Sequence, residues 1–321
     1  MALTSRLTLP GSGPEDHFAS SLGIIFPDDV TCQHSGDEHQ LLHYASPHLP
    51  HTLRLRTARV REEDDRYLFS HYLWNAGLLL AELIEADSLG LAPPPAEDTG
   101  QGGGSSSSAA PGTFDVTGLR TIELGAGTGL PSIMAGLVGA RGVVATDFPA
   151  PAVLEALEEN VRAGVREGNA APGKFRAEEV RVEGHGWGDL DSATALVGEG
   201  RHGFDRVLAA DCLWMPWQHD NLRRSIAWFL GDGDGARAWV IGAFHTGRDR
   251  MAMFFEKEAL AEVGLEVEHL WERDCDGQVR EWVWDRGAEE ASVRKRWLAV
   301  AVLRRIASGK PTSTEGEEVP S

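Results

Sequence analysis

Between Leu119 and Arg305, short apolar runs alternate with segments whose apolar residues recur at helical spacing, the pattern of buried strands separated by amphipathic helices. The runs predict strands at 119–124, 142–147, 177–183, 204–210, 236–244, 265–273 and 296–304. Helices are expected at 131–139, 150–164, 218–230 and 249–263, with a further candidate at 190–198. This order specifies an α/β fold: a Rossmann-like seven-stranded, mostly parallel sheet with helices on both faces. The last run, RWLAVAVLRR, closely follows the polar stretch Asp285 to Lys295 and is expected to form an antiparallel hairpin with the sixth strand.

Ahead of this region the pattern is weaker. Residues 1 to about 50 are rich in Pro, His, Ser and Asp without periodicity and read as an irregular arm. Within it His43, His48 and His51 lie close together but lack helical register, so no metal site is expected. Thr52 to Arg61, TLRLRTARVR, alternates apolar with polar and predicts a strand in a small N-terminal hairpin. Tyr67 to Leu89 reads as helical. The segment 92–112, APPPAEDTGQGGGSSSSAAPG, is low-complexity and expected to be a disordered insertion, and the tail from about 308 has no apolar content to bury. The expected organisation is an arm and hairpin over 1–66, one catalytic domain over 67–306 and a disordered tail over 307–321.

Composition narrows the chemistry. Forty-nine acidic against thirty basic residues give a formal charge of −19, which argues against nucleic acid and favours a basic protein or a small molecule as partner. Three scattered cysteines, Cys32, Cys212 and Cys275, have no paired spacing and point to a reducing compartment. No signal-peptide core and no membrane-length apolar run is seen, so the cytoplasm, with or without nuclear access, is the expected location.

The densest signal is LRTIELGAGTGLP, Leu119 to Pro131: a buried strand ending in Glu123, a turn with Gly125, Gly127 and Gly129, and a helix opened by Leu130 and Pro131. The glycine spacing does not fit a dinucleotide fingerprint, and no P-loop lysine follows. Glu123 would repel a diphosphate but welcome a cationic amino acid headgroup. The turn therefore suits a nucleoside with positive charge and no phosphate, which describes S-adenosylmethionine.

In an open parallel sheet ligands bind beyond the carboxyl ends of the strands, so polar residues there are the candidates. Asp147 ends the second strand and can accept both hydroxyls of a ribose; capping the following helix is its bland alternative. Trp187 follows the third strand, either against an adenine or as core. Asp211, Cys212 and Trp214 follow the fourth, Asp211 to orient an amine and Trp214 as an apolar wall. Cys212 reads as packing, since no base is apparent beside it. His245 and Arg248 follow the fifth strand, with His245 either holding a nucleophile or structural.

LWNAG at 73–77, IELGAGTGLPS at 122–132, TDFPAP at 146–151, WGD at 187–189 and ADCLW at 210–214 together resemble lysine methyltransferase family 16 of the seven-strand methyltransferases. The resemblance covers about 52–305 and includes a fungal branch labelled nicotinamide N-methyltransferase, similar to enzymes of the N-terminus and a lysine of a translation elongation factor. It implies S-adenosylmethionine as cofactor, with Trp74, Glu123, Gly125, Gly127, Gly129, Asp147, Trp187 and Ala210 around it, and Asp211, Trp214 and His245 at the reaction centre. The family's usual Tyr or Phe is replaced here by Trp214, which leaves the substrate open. Three readings stand at this point: a protein N-methyltransferase, a small-molecule enzyme for a nicotinamide-type pyridine, and an inactive cofactor-binding interaction module.

Overall fold

The computed structural model describes residues 2–8, 32–35, 41–59, 69–91, 113–196 and 202–307. In chain order a short 3-10 turn at Leu3–Arg6 leads to β1 (Leu7–Thr8), β2 (Gln33–His34), β3 (Leu41–Tyr44), β4 (Leu53–Arg56) and β5 (Leu73–Trp74), then to α1 (Asn75–Ser88). The main α/β region follows as β6 (Arg120–Leu124), α2 (Leu130–Leu137), β7 (Gly142–Asp147), α3 (Pro151–Gly164), β8 (Glu179–Gly184), α4 (Leu190–Leu196) and β9 (Arg206–Ala210). It closes with α5 (His219–Phe229), β10 (Arg237–Ala243), α6 (Arg248–Ala252), α7 (Lys257–Ala261), β11 (Leu265–Asp274), β12 (Val279–Glu281), α8 (Ala291–Arg296) and β13 (Trp297–Arg305).

The main sheet has the order β12-β11-β13-β10-β9-β6-β7-β8, with β6 to β10 parallel and β13 antiparallel to both of its neighbours. All seven expected strands are present. The eighth, β12, was not anticipated because VRE is too short and polar to stand out from the loop around it; it pairs with β11 at the sheet's edge. The last strand does more than close a hairpin with the sixth: it is inserted between β11 and β10.

Alternation explains how two helix layers are held. In β10, Trp239 and Ile241 join the core under α1 and α2, whereas Ala238 and Val240 join the core under α5. Leu208 and its neighbours Val207 and Ala209 in β9 divide the same way, so each strand feeds both faces.

Three local expectations are corrected. The helix expected from Tyr67 begins only at Asn75, because Leu73–Trp74 pairs as a strand with Gln33–His34. The alternating segment from Thr52 leaves strand geometry after Arg56, and its partner lies in the supposed irregular arm: β3 pairs with β4 and with β1 in a small three-stranded antiparallel sheet. The helix expected over 249–263 breaks at Glu256, whose extended backbone (φ −56°, ψ 129°) separates a 3-10 turn from α7. The low-complexity segment 92–112 and the tail from 308 lie outside the described residues. Among those described, no helix is long and apolar enough to cross a membrane.

Candidate active site

The carboxyl ends of β6, β7, β9 and β10 lie side by side in the sheet, and most of the expected residues gather there. The turn after β6 takes its shape from its glycines. Gly125, Gly127 and Gly129 have φ of +68°, +53° and +74°, a region that side-chain-bearing residues rarely enter. Their surroundings differ. A Cβ at Gly125 would come within 2.9 Å of Cys212 Sγ and 3.0 Å of the Trp187 ring, and one at Gly129 within 2.5 Å of Leu157. At Gly127 it would meet nothing within 4 Å, so the backbone there faces open space.

Asp147 fixes that turn. Its Oδ2 accepts the Gly127 amide at 2.6 Å and its Oδ1 the Phe148 amide at 2.7 Å, so it braces the glycine turn; it does not cap the following helix, which starts only at Pro151 with Ala150 as N-cap and no side-chain cap bond. Burial pushes its pKa up to about 6 against the pull of these two amides. Glu123 lies under the turn at the start of α2, where one carboxylate oxygen accepts the Ser132 amide at 3.0 Å and its hydroxyl at 2.5 Å. With 1% exposure, burial raises its pKa to about 8. Trp187 is half-buried beside Gly125, and the Gly188 amide behind it donates to Ser225 Oγ, which also contacts His185.

The ends of β9 and β10 are joined through Asp211, which itself sits in the left-handed region at φ +59°. Its Oδ1 accepts the Ala243 amide at 3.1 Å, and its Oδ2 lies 2.9 Å from His245 Nε2, which donates to it. Burial would lower the His245 pKa, but the Asp211 charge and hydrogen bond outweigh it and the net direction is up. Ala210, the last residue of β9, is half-buried, and its carbonyl receives the Cys212 thiol at 3.5 Å. That thiol also donates to the Leu124 carbonyl at 3.2 Å and is pushed well up by burial and by three nearby carboxylates, so it packs as a neutral group.

Aromatic rings cover the same edge. Trp74 meets His245 edge to face at 4.8 Å, and Trp214 contacts Trp217 at 6.4 Å. Phe69 contacts both Trp74 and Trp214, at 6.3 Å and 5.0 Å respectively, and Tyr72 meets Trp74 at 5.5 Å. Phe69 and Tyr72 were not expected here; the aromatic density of YLFSHYLW was the available signal, and it was absorbed into an assumed helix. Arg248, by contrast, does not join His245. It is buried over the Phe244 ring and donates to Glu272 at 2.7 and 3.1 Å, because an interior guanidinium needs carboxylates for its fixed fork of donors.

The family model described as lysine methyltransferase matches residues 57–258. The protein N-terminal and lysine N-methyltransferase EFM7 of Yarrowia lipolytica is 29% identical over 213 residues, covering 64% of this chain and 68% of that protein. Its Schizosaccharomyces pombe counterpart is 28% identical over 249 residues, covering 76% and 80%, and that of Eremothecium gossypii 30% identical over 213 residues, covering 65% and 68%. Among solved structures, a ribosomal protein L11 methylase from Lactobacillus delbrueckii subsp. bulgaricus is 18% identical with a TM-score of 0.36, over 59% of this chain and 71% of that one.

Proposed function

Because the chain belongs to the lysine methyltransferase family, we propose that it methylates a lysine or N-terminal amine of a protein, using S-adenosylmethionine, with a translation elongation factor as the target class. The observation that carries this reading is the pairing of Asp211 with His245 next to Trp74, on the same sheet edge as the glycine turn.

The residues fit the cofactor. Open space at Gly127 leaves the main chain approachable, and the Asp147 carboxylate bonded to its amide supplies a negative charge that suits a cationic nucleoside. Each Asp147 oxygen accepts one amide and keeps lone-pair capacity for a hydroxyl. When bound, S-adenosylmethionine supplies a methyl group on a positively charged sulfur, open to attack by a nitrogen lone pair. Gly125, Gly129 and Trp187 would shape its seat, with Ala210 at the neighbouring strand end. Glu123 would act from beneath by holding Ser132 and the first turn of α2.

The acceptor amine must be neutral to attack, and a lysine in water has a pKa of roughly 10.4. The rings of Trp74 and Trp214 would exclude water and so favour the neutral form. Asp211 orients His245 through Nε2, which leaves Nδ1 as the atom to take the amine proton. The acidic chain suits a basic protein surface, and a cytoplasmic site of action accords with three cysteines that form no disulfide.

The test is transfer of a tritiated methyl group from S-adenosylmethionine in an extract lacking the enzyme. Label in a protein of elongation-factor size supports the reading; label confined to small molecules would replace it with a pyridine methyltransferase.

A further inference from the structure

The N-terminal sheet and the glycine turn meet on one buried side chain, Asn160 of α3, which is 1% exposed. Its Oδ1 accepts the Arg56 amide at 2.6 Å, and its Nδ2 donates to the Arg56 carbonyl at 2.8 Å and to the Thr128 carbonyl at 3.0 Å. Both main-chain groups of Arg56, the last residue of β4, are therefore served by one side-chain amide, much as a neighbouring strand would serve them. Thr128 lies between Gly127 and Gly129, so the third bond holds the glycine turn itself.

Helix propensity does not explain an asparagine at this place. Asn is among the poorer residues for a helix interior, because its side chain competes for main-chain partners. Here it finds those partners outside its own helix, in segments 104 and 32 residues away along the chain. A leucine of similar size would leave three main-chain groups without a partner.

The surrounding contacts make the link stiff. A Cβ at Gly129 would come within 2.5 Å of Leu157 and 3.5 Å of Val161, so the turn rests directly on the stretch of α3 that carries Asn160. Just past β4, Ala58 packs with Ala150, Val153 and Ala156 at the start of the same helix. At the opposite edge of the small sheet, Arg6, next to β1, pairs with Glu82 at 2.8 Å and Glu85 at 2.7 Å, both on α1. The sheet thus bridges α1, which follows Trp74, and α3, which supports the turn. Resting on the methyltransferase reading above, we propose that Asn160 is a positioning residue of the cofactor seat: it bolts the N-terminal sheet to the glycine turn, so that binding at the turn steadies β4.

The experiment measures residue-resolved hydrogen exchange of the full chain with and without S-adenosylhomocysteine, reading the Arg56 amide, whose acceptor is Asn160 Oδ1. Calorimetry gives the S-adenosylhomocysteine affinity of the wild type, Asn160→Leu and Leu303→Ala. Leu303 is buried opposite Ala238, at the end of β10 away from the site, and its truncation destabilises the fold without touching either linked segment. S-adenosylhomocysteine should slow Arg56 exchange about fivefold or more, because coupling between two sites is reciprocal. Asn160→Leu should weaken S-adenosylhomocysteine about fivefold to hundredfold, whereas Leu303→Ala should bind it as the wild type does. Arg56 exchange that ignores the ligand overturns the proposal, as does a folded Asn160→Leu with wild-type affinity or an equal loss in Leu303→Ala. The exchange measurement needs no variant and decides by itself if Asn160→Leu does not fold. A wild type that fails to bind S-adenosylhomocysteine overturns the underlying methyltransferase reading, and the coupling with it.

Discussion

Asp211 Oδ2 and His245 Nε2 are 2.9 Å apart, and the same carboxylate accepts the Ala243 amide, so one side chain sets both the end of β10 and the tautomer of the imidazole. Burial alone would lower the His245 pKa; Asp211 reverses that and raises it. An imidazole that must be neutral to accept a proton then works only above its raised pKa. Methyl transfer is accordingly expected to increase with pH through and beyond the ordinary histidine range.

Asp211→Asn removes the charge while keeping an oxygen for the Ala243 amide. The His245 pKa should fall, since burial is then unopposed, and the pH profile should shift to lower pH with it. Losing a charge-assisted hydrogen bond of this kind corresponds to roughly 1.5–3 kcal/mol, or about tenfold to hundredfold in rate. Imidazole titration by NMR together with the pH–rate profile checks both parts; an unmoved His245 pKa contradicts the assignment.

Glu123 gives a stability prediction with the opposite origin. Its folded pKa, about 8, lies above the ordinary value of 4.5, so the folded state binds more protons between those limits. The stability this supplies is present below pH 4.5 and lost as pH rises towards 8. Glu123→Gln should therefore flatten the loss, gaining on the wild type by roughly 2–5 kcal/mol between pH 5 and 8. Urea midpoints measured across that range check this, and parallel curves for the two proteins would contradict it.

His185 works in the other direction. It is 1% exposed, and burial lowers its pKa to about 4 from 6.5. The unfolded chain binds the proton more readily, so this contribution is complete above pH 6.5 and disappears as pH falls towards 4. About 3 kcal/mol of acid sensitivity is expected from this residue. His185→Gln should reduce the wild type's acid-induced loss, as read from urea midpoints at pH 7 and 5; an unchanged difference between those midpoints would contradict the account.

How far the site was legible in the sequence follows from how local each signal is. Gly125, Gly127, Gly129 and Asp147 could be read directly because each lies within a residue or two of a strand end, where alternation and glycine spacing are informative. Phe69 was hidden because its place depends on Leu73–Trp74 pairing with Gln33–His34, a contact across some forty residues that no periodicity reports. Arg248 was misjudged for a similar reason: Glu272, which draws it away from His245, lies on a different strand. The break at Glu256 left no pattern, since its extended backbone carries no glycine or proline to mark it.

Gly125 and Gly127 separate packing from binding. Gly125→Ala adds a Cβ within 3.0 Å of both Cys212 and Trp187 in a left-handed conformation, and should destabilise the fold by roughly 1–3 kcal/mol. Thermal unfolding of Gly125→Ala should show the loss; Gly127→Ala, with open space around it, should lose only the roughly 1 kcal/mol of backbone strain.

The central claim is that the glycine turn and Asp147 form the cofactor seat of a methyltransferase. Calorimetric titration of S-adenosylhomocysteine into the wild type and Gly127→Arg tests it most directly, because Gly127 faces open space and its variant should remain folded. Binding by the wild type and its loss in folded Gly127→Arg is the predicted result. Equal affinity in the two proteins, or no binding in either, would contradict it.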